Sequence, residues 1–228
     1  MNRINSLKTA ALALCVVGLA ACGSTPSSPV SQGEQDRLDA EVKAAIADFR
    51  TKDPDIDRFF RTAYGYAIFP DVSSGALIVG GAHGNGEVFH ISGDGRGLGH
   101  FVGYADVSKG NVGAQIGGQS YAQLVFFENK GTFAEFTSGK ECEFDAKASA
   151  VAADKGASTN ANYEKGVLVF TNAKGGLMVQ AAIGGQKFRY IAADEATARM
   201  KNKEWEDREM RANEPRDSRD MPAPQPPR

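Results

Sequence analysis

The chain has 228 residues, a formal net charge of −2 and 42% hydrophobic residues. This length is sufficient for one domain with its own core, and the near-neutral charge argues against a nucleic-acid partner. Of the three cysteines, Cys15 and Cys22 fall in a predicted signal peptide and at its acylation site, which leaves Cys142 alone and predicts no internal disulfide.

Residues 1–21 are predicted to be a lipoprotein signal peptide. Arg3 and Lys8 make a positive start, and residues 9–19 form an apolar run too short to span a bilayer. The sequence LAAC, which ends at Cys22, resembles a bacterial lipobox and implies acylation of that cysteine; an ordinary signal with an incidental cysteine is the alternative. Cleavage removes two of the 26 basic residues and none of the 28 acidic ones, so the mature chain carries −4.

Two amphipathic helices are predicted after a Ser-, Pro- and Gly-rich tether at 22–33. The apolar stripe of the first comprises Leu38, Val42, Ile46 and Phe49. Asp53 and Pro54 are predicted to begin the second as N-cap and first helical residue. Its apolar face comprises Ile56, Phe59, Phe60 and Ala63. The helices either pack on a sheet or lie on a membrane; their acidic polar faces favour packing, because membrane-surface helices are rich in Lys and Arg.

A turn motif occurs three times in residues 65–186, a stretch that holds 23 of the 26 glycines. The copies begin with DVSSG at 71–75, DVSKG at 106–110 and, more loosely, TNAKGG at 171–176, and each continues into a run that contains Gly-Gly at or near its end. Each copy is predicted to form a β-hairpin, with its glycines at turns, bulges or bends. The glycines given this structural role are Gly75, Gly80, Gly81, Gly110, Gly117, Gly118, Gly175, Gly184 and Gly185.

Other segments complete the predicted sheet. β-Branched or aromatic runs at 88–91, 122–127, 167–170 and 187–191 favour strands. Asn129 is predicted to cap a short helix, and the small residues between 145 and 162 indicate a strand or a surface loop. The expected fold class is α+β, with a Gly-rich, curved, mostly antiparallel sheet that forms a barrel-like bowl.

No common catalytic motif is found in the sequence, and no cofactor is expected. The three histidines, His83, His90 and His100, could bind a metal or act as a general base, but their spacing fits no common ligand pattern. Structural or surface histidines are therefore favoured, with no metal and no catalytic residue predicted. Cys142 is expected to be a small buried residue.

Basic residues near the repeats are candidates for contact with a lipid phosphate. Lys109 and Lys174 occupy matching positions in two turns, and Lys187 and Arg189 follow the third repeat. Arg96 lies in a glycine-rich loop whose backbone N–H groups could cradle a phosphate. Simple solubilising charges are the alternative.

Residues 62–191 resemble the SYLF family of lipid-binding domains. The resemblance is carried by AYGYAIFP at 63–70, GAQIGGQ at 113–119, LVFF at 124–127 and FTSGK at 136–140. It implies a curved β-structure with packed helices, binding of phosphoinositides or other anionic lipids, and an association with actin in eukaryotic members.

The predicted organisation is thus a lipid-binding domain at 34–193, a charged helix at 194–213 and a disordered Pro-rich tail at 214–228. We expect a non-enzymatic lipoprotein, anchored through acyl chains on Cys22 to the inner face of a bacterial outer membrane, with membrane phospholipid as its partner. A periplasmic scaffolding protein that binds an unknown protein is the main alternative, and a hydrolase that uses His83 or His100 is the third.

Overall fold

The computed structural model describes residues 31–74, 81–91, 99–110, 119–143, 150–174 and 185–212. This part is an α+β structure with a curled eight-stranded half-barrel sheet and four helices. The helices are α1 (Gln32–Lys52), α2 (Asp57–Thr62), α3 (Lys130–Phe136) and α4 (Ala193–Ala212). The strands are β1 (Gly65–Ser74), β2 (Gly81–His90), β3 (His100–Gly110), β4 (Gln119–Phe127), β5 (Cys142–Glu143), β6 (Ala150–Ala152), β7 (Val167–Lys174) and β8 (Gln186–Ala192). Two 3₁₀ helices span Pro54–Ile56 and Ala157–Asn160.

The strand order in the sheet is β5-β8-β3-β2-β1-β4-β7-β6. Neighbouring strands are antiparallel except for β6 and β7, which are parallel. The predicted α+β class with a mostly antiparallel sheet is therefore confirmed. The predicted signal peptide, Cys22, Arg96 and the tail at 214–228 lie outside the described residues.

The repeated turn motif joins paired strands in its first copy only. β1 and β2 flank that copy and pair with each other. β3 and β4 flank the second copy but are separated by β2 and β1, and β7 and β8 flank the third but lie on opposite sides of these four strands. The prediction of three hairpins is thus wrong for two copies. Polar turn residues favour a local reversal of the chain. Which strands then pair depends also on the other strands of the sheet, and β3 and β7 each pair with strands other than the one that follows them in the chain.

Helix α1 packs on one face of the sheet. Its four predicted apolar residues, Leu38, Val42, Ile46 and Phe49, are all buried. They share a cluster with Ile68 of β1 and Leu124 of β4, so the side chains of alternate strand residues meet the helix. In the described structure this apolar stripe therefore packs on the sheet, as the favoured alternative predicts.

The opposite face of the sheet is concave. The rings of Phe69 in β1 and Phe188 in β8 lie 5.6 Å apart, although β2 and β3 separate these two strands. Strands in a sheet are spaced by about 4.8 Å, so a flat sheet would hold the two strands roughly three times that distance apart. Helix α3 contributes Phe133 and Phe136 to the same concave core, and Asn129 caps this helix through its side chain as predicted.

A bulge in β1 requires a glycine on the neighbouring strand. The β1–β2 register shifts between Ile68 and Asp71, and a Cβ on Gly86 would lie 2.2 Å from the Ile68 carbonyl oxygen. This close approach explains a strand glycine that the repeats did not single out.

Among the predicted structural glycines, three fall in the described residues. Gly81 and Gly110 are register partners in β2 and β3, and Gly185 has a φ of 78°, which favours glycine at the start of β8. The remainder lie outside the described residues: Gly75, Gly80, Gly117, Gly118, Gly175 and Gly184.

Asp53 occupies the predicted N-cap position, and Pro54 is the first residue of the short 3₁₀ helix that follows, but the Asp53 side chain does not cap this helix. Its side chain makes no cap hydrogen bond to the 3₁₀ helix that begins at Pro54, and α2 starts later, at Asp57. The fully buried carboxylate instead accepts hydrogen bonds from the backbone N–H groups of Ser158, at 2.6 Å, and Gly156, at 3.3 Å. A buried carboxylate without hydrogen-bond partners is unfavourable, and these two N–H groups, distant in sequence, supply the hydrogen bonds that it needs.

Candidate functional site

The strand ends that flank the three repeats lie together at one end of the sheet. Register pairs join Ser74 to Ala82, Ser120 to Lys174, and Lys109 to Gln186. Because β1, β3 and β7 finish where β2, β4 and β8 begin, we call this the repeat end, defined by these six residues. The structure therefore brings the predicted candidates Lys109 and Lys174 to the same end of the sheet.

The two lysines lie at the same end of the sheet but on opposite faces of it. Lys109 is the register partner of Ala82, which belongs to the concave core. Lys174 lies two residues beyond Asn172, which contacts α1 on the helix-bearing face, so the alternation along β7 places both residues on that face. The repeat end thus presents basic residues from both faces of the sheet.

Lys174 is held by a carboxylate of β1. Its Nζ lies 2.9 Å from Oδ2 of Asp71, and Oδ1 of Asp71 accepts a hydrogen bond of 2.8 Å from the Ser120 hydroxyl. Both members of the ion pair are about half exposed, so solvent screens their attraction. A bound phosphate would therefore compete with Asp71 for Lys174.

Glu141 pairs with both basic residues of β8. Its carboxylate lies 2.7 Å from Nζ of Lys187 and 3.9 Å from Nη2 of Arg189. The hydrogen bond to Glu141 raises the pKa of Lys187, and the same bond lowers the pKa of Glu141. The cations that were predicted to bind a headgroup thus carry their own counter-ion in this structure.

The histidines do not form a common site. His83 is exposed in β2, while His90, at the other end of that strand, packs its ring 4.6 Å from the ring of Tyr64. His100 is the register partner of His90. Across the described residues, no group of three His, Cys, Asp or Glu side chains could hold a metal ion. Cys142 is half-buried, and burial raises the pKa of its thiol.

A buried polar cluster, missed in the sequence, crosses the concave side. The amides of Gln123 in β4 and Gln186 in β8 exchange two hydrogen bonds of 3.0 and 3.1 Å, and Gln186 also donates to the Tyr121 hydroxyl at 3.1 Å. Both glutamines are fully buried. We call these three residues the amide bridge, because it joins two strands that β3, β2 and β1 separate in the sheet. Glutamines at inward positions of apolar strands are the signal that could have indicated it.

Glu87 is a second buried group that the sequence analysis did not identify. It lies in β2 with only 4% of its surface exposed, and burial raises its pKa to about 7. The sequence signal that could have indicated this buried carboxyl is an acidic residue between Gly86 and Val88, directly before the predicted strand at 88–91.

None of the helices in the described ranges is long and apolar enough to cross a membrane. The described residues define an α+β protein with a curled sheet that carries basic side chains at and beside the repeat end, among them the ion-paired Lys174 and Lys187. The chain is 28% identical over 151 residues to a protein of Aeromonas veronii named Beta cell expansion factor A. That match covers 66% of this chain and 55% of the relative, so the chain spans about half the length of the relative. No family model matches the chain.

Proposed function

We propose that this chain is a non-enzymatic envelope lipoprotein whose curled domain binds anionic phospholipid through the repeat end. The observation that carries the proposal is the convergence of Lys109 and Lys174 at one end of the sheet. Lys187, one residue from Gln186 in β8, adds a third basic group at this end of the sheet. Basic residues close to an anionic membrane surface contribute about 1 kcal/mol each to binding.

The ion pairs at this end suit exchange with a lipid phosphate. Asp71 pairs with Lys174, and Glu141 pairs with Lys187. Exposed pairs of this kind are weak, so a phosphate surface can replace the carboxylates at small cost. The resemblance of residues 62–191 to the SYLF family supports the same ligand class.

Membrane attachment is the second part of the proposal. Acyl chains on Cys22 would anchor the protein to the inner face of a bacterial outer membrane, with residues 22–33 as the tether to the domain. Each buried methylene of an acyl chain contributes about 0.8 kcal/mol, so two or three chains hold a protein at the membrane durably. Recognition of headgroups by the repeat end would then act on a domain already close to the bilayer.

Vesicle co-sedimentation of the mature chain with Cys22→Ser tests headgroup binding without the anchor. We expect binding to vesicles that contain phosphatidylglycerol, weaker binding to phosphatidylcholine alone, and a decrease with added salt. Lys109→Ala combined with Lys174→Ala should weaken binding by about 2 kcal/mol, which is roughly 30-fold. The matched control is Lys201→Ala with Lys203→Ala, which removes the same charge from exposed positions of α4.

Neutralising the competing carboxylates should have the opposite effect. Glu141→Gln removes the carboxylate that pairs with Lys187 at 2.7 Å, so binding to phosphatidylglycerol vesicles should become tighter. Binding that ignores lipid charge and is unchanged by the double lysine variant would remove the proposal. One dominant protein partner in whole-cell crosslinking would then favour the scaffolding alternative.

A further inference from the structure

Glu87 lies between helix α1 and the sheet. It is the register partner of Ile68 in β1 and of Tyr104 in β3. Both neighbours belong to the core cluster that includes Leu38 and Val42 of α1. Side chains paired in register project to the same face, so the Glu87 carboxyl points towards the N-terminal half of α1.

Titratable groups from three elements face this carboxyl. Helix α1 contributes Asp39, which raises the pKa of Glu87, and Lys43, which lowers it. These two residues also form an ion pair of 2.6 Å with each other on the helix surface. Tyr66 of β1 and Tyr104 of β3 also face this carboxyl: burial is the largest cause of the raised pKa of each tyrosine, and the charge of Glu87 adds to it. Burial is the largest cause of the raised Glu87 pKa, ahead of either charged neighbour.

The two halves of α1 are held in different ways. Near its C-terminus, Asn172 of β7 donates to Oδ2 of Asp48 at 2.6 Å and accepts from Lys52. Arg50 adds an ion pair of 2.6 Å to Asp57 of α2. The N-terminal half packs on the sheet through Leu38 and Val42, in the same cluster as the two register partners of Glu87. The helix therefore has a polar anchor at one end and a buried carboxyl beneath the other.

We propose that Glu87 makes the docking of the N-terminal half of α1 dependent on pH. The protonated carboxyl is compatible with burial beneath Leu38 and Val42. The carboxylate favours a state in which this half of the helix moves away from the sheet and water reaches Glu87. The hydrogen bonds of Asn172 to Asp48 and Lys52 keep the C-terminal half in place. The inference does not depend on the lipid ligand.

The direction of the effect follows from the protonation states. Burial raises the pKa of Glu87 from 4.5 to about 7 in the docked state. The docked state therefore binds a proton more tightly than the open state, and docking weakens as the pH rises through this interval. Between pH 5 and pH 8, the equilibrium constant for opening should increase on the order of 50-fold.

Hydrogen exchange of the full-length chain at pH 5 and pH 8 tests this opening. After correction for the intrinsic exchange rate, amides in residues 36–46 should lose protection on the order of 50-fold at the higher pH. Amides in residues 47–52 should change much less. Glu87→Gln should abolish the pH dependence, whereas the control Glu128→Gln, at an exposed position, should retain it.

Two further variants keep the test decisive if Glu87→Gln does not fold. Asp39→Asn should move the midpoint of opening to lower pH, and Lys43→Met should move it to higher pH, because these residues shift the Glu87 pKa in opposite directions. Equal protection of residues 36–46 at both pH values in the parent chain would overturn the proposal. A pH dependence that persists in Glu87→Gln would overturn it as well.

Discussion

The Gln186→Ala variant is expected to unfold with a free energy about 3 kcal/mol below that of the parent chain. The substitution removes both hydrogen bonds to Gln123 and the hydrogen bond to the Tyr121 hydroxyl. The two remaining partners stay buried, and a buried polar group left without a partner costs about 1–3 kcal/mol. Urea denaturation monitored by circular dichroism measures the difference.

A double-mutant cycle with Gln123→Ala distinguishes loss of the amide bridge from loss of packing. The double variant should be more stable than the sum of the single effects predicts, by roughly 1–2 kcal/mol, because neither amide is then left unpaired. Gln32→Ala is the matched control, since this glutamine bonds to Asp36 at an exposed position of α1. Additive single effects would show that the bridge does not couple β4 to β8.

The Asp53→Ala variant is expected to lose about 3 kcal/mol of unfolding free energy. The carboxylate is fully buried and accepts from the backbone N–H groups of Ser158 and Gly156, which lie more than 100 residues further along the chain. Hydrogen bonds to a charged group contribute about 1.5–3 kcal/mol each, and their loss leaves two backbone donors unpaired. Thermal unfolding followed by circular dichroism, with urea denaturation for the free energy, measures the loss.

Asp55→Ala is the matched control for this prediction. Asp55 lies two residues away, is exposed, and accepts a long hydrogen bond of 3.3 Å from Thr159, which lies in the 3₁₀ helix Ala157–Asn160 together with Ser158. Its loss should change the unfolding free energy by about 0.5 kcal/mol or less. Hydrogen exchange should also show faster exchange of residues 154–161 in Asp53→Ala. Equal effects of the two substitutions would contradict a specific role for the buried carboxylate.

The candidate site was only partly predictable from the sequence. Matching positions in two repeats were the reason to single out Lys109 and Lys174, and the structure brings both to one end of the sheet although only the first repeat joins paired strands. The repeats did not show that the lysines lie on opposite faces, nor that Asp71 and Glu141 hold the basic side chains. An ion pair between strands depends on register, and one residue of shift changes the face to which a side chain points.

The sequence by itself determined those elements that depend on residues close together in the chain. The apolar stripe of α1 and the cap of α3 by Asn129 depend on residues a few positions apart, so spacing and capping chemistry are sufficient to find them. Only the tertiary structure decided the strand order, the amide bridge and the environments of Asp53 and Glu87. The amide bridge joins residues 63 positions apart, and the Asp53 carboxylate bonds to a residue 105 positions away. Such contacts depend on how the sheet curls, because the burial of a side chain and its hydrogen-bond partners are set by the packing of the complete fold.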